Sequence, residues 1–109
     1  MNRGGAVIGA QELVQLVNNE NALVVDVRDK AEFDLGHIVD SINMPYASID
    51  SRSDELNKHK DRPLVIACKM GQHSGAAGTA LKKKGFENVS RLRGGIAEWR
   101  GQNLPVVKS

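Results

Sequence analysis

Cys68 is the only cysteine in the chain, and it stands in "VIACKMGQHSGAAGTALKKKG", residues 65–85, where an apolar run stops and a polar loop begins. The loop is Lys69, Met70, Gly71, Gln72, His73 and Ser74, and a small-residue segment with helical spacing follows. Sulfur is nucleophilic as the thiolate, and helix N-termini favour that form. Gly71 permits a tight loop. Successive amides in such a loop can converge as an anion-binding nest. A helix starting near Ser74 adds unpaired N–H groups and the positive end of its dipole. The expected product is a reactive sulfur beside a pocket for an oxyanion, with no metal or organic cofactor in the chemistry. The competing reading is a small buried hydrophobe, the common fate of a lone cysteine. The loop by itself leaves both open.

Elements must place that loop. The run at 22–27, "ALVVDV", and the run at 63–67, "PLVIA", are short, apolar and β-branched on both parities. They read as strands buried on both faces, as in a parallel sheet. Shorter candidates lie at 6–8, at 41–45 ("SINMP", stopped by proline) and at 88–92 ("NVSRL"). Helical spacing places Leu13, Leu16 and Val17 on one face after Gly9, with "NNEN" closing that helix. A polar helical turn spans 30–35 before Gly36, and a polar segment at 49–58 reads as a short helix. Ala76, Ala77, Ala80 and Leu81 form the core face of the helix after Cys68. Lys82, Lys83 and Lys84 then oppose its dipole, and Gly85 with Phe86 supplies its stop. "GGIAEW", 94–99, opens a last helix, with Trp99 as a core anchor whose indole N–H needs an acceptor. Strand–helix alternation predicts an α/β fold, a central parallel five-stranded sheet flanked by helices on both faces. Ligands of such sheets bind at the carboxyl ends of strands, where Cys68 falls.

Composition bounds the rest. At 109 residues the chain has room for one domain, expected over 6–107, and a monomer is the default. A formal net charge of +2, without a basic stripe of interleaved aromatics, excludes nucleic acid as the expected partner. One cysteine makes no internal disulfide and no structural zinc site, which favours a reducing compartment, the cytoplasm. No apolar run approaches the ~20 residues that span a bilayer.

Three ordered motifs carry a family resemblance. "DVRDKAEFDLGHIVDSINMP", 26–45, resembles the N-proximal signature of single-domain rhodaneses, and "LRGGIAEWRGQNLPV", 92–106, resembles their C-proximal signature. Between them Cys68 falls where the family has its active-site cysteine. The resemblance implies a sulfurtransferase. Cys68 takes the outer sulfur of a donor such as thiosulfate, holds it as a persulfide and passes it to cyanide or another thiol, with a protein acceptor as a further possibility. Backbone N–H groups of Lys69, Met70, Gly71, Gln72, His73 and Ser74 would bind the anions of this cycle. A persulfide carrier without turnover, or a partner-binding module, is the alternative.

One position departs from the family. Many members read C-x-x-G-x-R in this loop, and here the arginine's place is held by His73. Histidine is mostly neutral at pH 7, whereas arginine offers a permanent charge and a planar fork. Thiosulfate is therefore expected to be a poor donor beside a protein or low-molecular-weight persulfide, with Lys69 supplying charge if its side chain turns inward. A cysteine phosphatase or arsenate reductase is the rival on this fold, and the loop speaks against it on the same ground, because no arginine occurs between Cys68 and Arg91. Asp26, Arg28 and Glu32 are expected to form a supporting charge network, since buried charges need partners. His37 is expected to tie loop backbone, and His59, between Lys58 and Lys60, to be exposed.

Overall fold

A computed structural model describes residues 4–109. Five strands, β1 (Ala6–Ile8), β2 (Leu23–Asp26), β3 (Ile42–Asn43), β4 (Leu64–Ala67) and β5 (Val89–Leu92), form one sheet in the order β1-β5-β4-β2-β3. All four pairings are parallel. The two strands that were apolar on both parities, β2 and β4, are the fully buried neighbours at the sheet's centre.

Their alternation divides the core. Leu23, Val25, Leu64 and Ile66 face one side, against Ile49, Leu56, Ala77 and Leu81. Val24 and Val65 face the other, against Ala10, Leu13, Ile96 and Trp99. Helices α1 (Ala10–Glu20) and α5 (Gly95–Gly101) therefore cover one face. Helix α3 (Ile49–Arg52), the 3-10 segment Ser53–His59 and helix α4 (Ser74–Lys83) cover the opposite one. Helix α2 (Lys30–Leu35) buries no residue. No helix among the described residues is long and apolar enough to cross a membrane.

Helix α4 ends as its sequence predicts. The Phe86 N–H donates to Leu81 O and the Gly85 N–H to Lys82 O, with Gly85 at φ +95° and Phe86 buried. This is the paired closure that a left-handed C-terminal residue makes possible. Trp99 is buried and its Nε1–H donates to Pro105 O at 2.9 Å.

Three local expectations are corrected. The buried stripe of α4 is Ser74, Ala77, Gly78 and Leu81, so Ala76 faces outward. Gly78 belongs to the stripe because the Gly4 carbonyl packs where its Cβ would stand. Val17 lies past the packed end of the α1 stripe and is exposed. His59 is half-buried beside Arg62 Nη1 at 3.2 Å. Burial, with Arg62 and Lys58 nearby, holds its imidazole below the usual histidine range.

Candidate active site

β2 and β4 are neighbours whose onward connections diverge. From β2 the chain passes through α2 to β3 on one side, and from β4 through α4 to β5 on the other. Such a switch point opens a crevice at the carboxyl ends of the two strands. The register brings those ends level, with Asp26 opposite both Ala67 and Asn43. Cys68 is the next residue after β4, and strand alternation turns it to the α4 face of the sheet.

The thiol is at the floor of this crevice and is only 1% exposed. It packs with the core cluster of its face, yet it also lines a pocket of about 220 Å3. The Gly71 N–H donates to Sγ at 2.8 Å, and the Sγ–H group donates to Gln72 Oε1 at 3.5 Å. The two readings of the lone cysteine are thus joined in one position, a core-packed side chain whose sulfur meets a main-chain donor at a pocket floor.

The loop residues divide by role. Lys69, Gln72 and His73 line the pocket. Gly71 supplies the amide on sulfur. Ser74 is buried and its hydroxyl donates to Gly71 O at 3.0 Å, so it braces the loop from behind. Met70 is 62% exposed and lies outside the pocket lining. Its amide is taken by Gln72 Oε1 at 2.8 Å, which removes it from the expected cradle. The amides of Gln72, His73 and Ser74 have no intramolecular acceptor among the described residues, as at the first turn of any helix. The His73 ring stacks on Tyr46, centroids 4.7 Å apart.

Asp26 and Arg28 are buried together. Arg28 Nη2 donates to Asp26 Oδ2 at 2.7 Å and Nε to Oδ1 at 3.0 Å, while the Arg28 amide caps the same carboxylate. Nη2 also donates to Gly36 O at 2.8 Å, tying the end of α2 to the loop after β2. Asn43 Nδ2 reaches the carbonyls of Asp26 and Arg28, fastening β3 to the same loop. Glu32 stands apart from this network. The sole partner of its carboxylate among the described residues is Lys69 Nζ at 4.0 Å, at the pocket wall. Asp26 takes Nε and Nη2 of the Arg28 guanidinium. His37 ties backbone, with Nδ1 2.7 Å from Phe33 O.

Four lining residues were not among the expected site residues: Val27, Asp29, Tyr46 and Ala47. Tyr46 and Ala47 follow β3 after only Met44 and Pro45, so the strand-end rule that located Cys68 also points to them.

Helix α5 fixes the start of the cysteine loop from the opposite face. The Ile96 and Ala97 amides donate to Cys68 O and Lys69 O at 2.8 and 2.9 Å. Gly95, at φ +61°, makes this approach possible, because a Cβ there would overlap the Cys68 carbonyl oxygen. A left-handed residue with a side chain costs ~1–2 kcal/mol before any clash. Gly95→Ala is therefore expected to lower unfolding free energy by about 2 kcal/mol or more in urea titrations, and to slow Cys68 alkylation or sulfur loading through the displaced carbonyl.

The comparisons with known proteins agree with this fold. The model of the Rhodanese-like domain matches residues 9–102. The chain is 41% identical over 103 residues to the YibN protein of Escherichia coli (strain K12), covering 94% of this chain and 72% of that protein. It is 39% identical over 101 residues to a protein named Sulfurtransferase from Allochromatium vinosum, covering 92% of each. Among solved structures, a rhodanese-related protein from Thermoplasma volcanium superposes with a TM-score of 0.85 at 30% identity, over 95% of this chain and 99% of that one. A family match over residues 9–102, together with a superposable fold, makes the chain a member of the rhodanese-like domain family.

Proposed function

We propose that residues 6–107 act as one sulfur-transfer module that moves sulfane sulfur through a persulfide on Cys68. Membership of the family and the resemblance to a named sulfurtransferase support sulfurtransferase-type activity. The observation that carries the mechanism is the Gly71 N–H on Cys68 Sγ at 2.8 Å, at the floor of an open pocket. Sγ, as thiolate, attacks the outer sulfur of the donor. A new S–S bond forms, the donor's S–S bond breaks, and the leaving group departs with that electron pair, as sulfite from thiosulfate or as a thiolate from a persulfide. An acceptor nucleophile then takes the outer sulfur, and Sγ leaves as thiolate. Splitting the transfer across a covalent intermediate is nucleophilic catalysis with ping-pong kinetics. The Gly71 amide on Sγ stabilises negative charge there at both steps.

The pocket's charges favour a persulfide donor over thiosulfate. Arg28 is occupied by Asp26, and Lys69 faces Glu32. Asp29 and Glu32 add carboxylates to the same lining. His73, stacked on Tyr46, holds the position where arginine would bind a dianion. Sulfur loading is read as a gain of about 32 Da on Cys68 by intact mass. Loading from a low-molecular-weight persulfide is expected to be about tenfold faster than from thiosulfate. His73→Arg is expected to raise the thiosulfate rate about tenfold, since a hydrogen bond to a charged group contributes ~1.5–3 kcal/mol. Faster loading of the natural protein from thiosulfate overturns the donor assignment, and absence of loading from every donor overturns the function. Loading without thiocyanate formation from cyanide identifies a carrier in place of an enzyme.

A further inference from the structure

A second pocket, of about 290 Å3, adjoins the cysteine pocket, and Arg28, Glu32 and Lys69 wall both. The cysteine pocket alone is smaller than the ~300–1,000 Å3 usual for small-molecule sites, and its neighbour brings the cleft into that range. The second pocket is walled by Ile96 and Ala97 of α5, with Leu35, 69% exposed, at its rim. Arg100, one turn along α5, completes it. Its guanidinium lies against Gly36, where a Cβ would overlap Nη2. Among the described residues the Arg100 guanidinium has no acidic or hydrogen-bonding partner, unlike the charged groups of Arg28 and Lys69 in the same cleft. An apolar shelf therefore joins a sulfur-transfer pocket to an unmatched cation.

We propose that this second pocket is the acceptor subsite and holds the body of a low-molecular-weight thiol bearing a carboxylate, which pairs with Arg100. The inference rests on the sulfur-transfer reading and names its acceptor class. The acceptor, as thiolate, attacks the outer sulfur of the protonated Cys68 persulfide. Its electron pair makes the new S–S bond, and the old S–S bond breaks toward Sγ, which leaves as thiolate. The acceptor departs as a persulfide with the proton the outer sulfur carried, so no external oxidant or reductant is consumed.

Two acceptors test this, glutathione and glutathione diethyl ester, which share a thiol and differ in their carboxylates. After loading from a common persulfide donor, glutathione is expected to be favoured about fivefold in kcat/KM, the scale of an exposed charge pair. Arg100→Gln brings that ratio toward one and Arg100→Lys retains most of it. A ratio near one in the natural protein, a ratio unmoved by Arg100→Gln, or an equal loss in Arg93→Gln, an exposed arginine outside both pockets, overturns the subsite. A binding measurement separates this outcome from failure of the transfer reading. S-Methylglutathione, which accepts no sulfur, is expected to protect Cys68 from iodoacetamide, with a half-protection concentration about fivefold higher in Arg100→Gln. Protection that Arg100→Gln does not weaken overturns the subsite, whether or not Cys68 takes up sulfur.

Discussion

Cys68→Ser is expected to abolish the 32 Da gain on the protein and to lower thiocyanate formation by about 10^3-fold or more. Removal of a covalent nucleophile has the largest effect open to a single substitution in such a mechanism, up to ~10^6 in other enzymes. Serine keeps the site nearly intact. Its hydroxyl can accept from the Gly71 N–H and donate to Gln72 Oε1, the partners that Sγ has now. The thiol is buried among apolar neighbours, so the exchange is expected to lower stability by only about 1 kcal/mol. Circular dichroism and a urea midpoint therefore separate a chemical loss from a folding loss. Sulfur uptake that persists in a folded Cys68→Ser protein removes Cys68 from the mechanism.

Asp26→Ala acts on the scaffold. The Asp26 carboxylate is fully buried, and the Arg28 side chain is 7% exposed, so deleting the acid strands a buried guanidinium with only Gly36 O as acceptor. Breaking a buried pair in this way costs about 3–5 kcal/mol. That is a large part of the ~5–15 kcal/mol that holds a typical domain together. The expected result is a urea midpoint shifted far down, with the loop after β2 loosened first because Arg28 and Asn43 fasten it. Asp26→Leu with Arg28→Met removes both charges and is expected to recover much of the loss. A double variant as unstable as Asp26→Ala would show that the pair contributes more than mutual compensation.

The central strands were legible in the sequence because burial on both faces leaves a plain mark, continuous apolar residues in "ALVVDV" and "PLVIA". The position of Cys68 followed from the end of one of these strands. The stop of α4 was equally readable, since Gly85 and Phe86 encode a local hydrogen-bond closure. Relations across the chain were harder to read. Val17 and Ala76 have the right type for a core face, but the stripe that is buried depends on which neighbours reach the helix. Glu32 has the right charge to join Asp26 and Arg28, yet it stands against Lys69. The docking of α5 on the cysteine loop joins residues 96 and 97 to 68 and 69, and no local pattern announces it. Arg100 was hidden for the same reason, because its place in the cleft depends on the absent side chain of Gly36.

That docking also sets the polarity of the loop. In a planar trans peptide the C=O and the following N–H point in opposite directions. The oxygens of Cys68 and Lys69 are drawn toward α5, so the amide hydrogens of Lys69 and Met70 are directed away from it. Met70 shows the result, its amide meeting Gln72 Oε1, the same oxygen that takes the Cys68 thiol. Helix α5 thus behaves as a clamp on two dipoles, holding their negative ends toward itself and away from the Cys68 thiol.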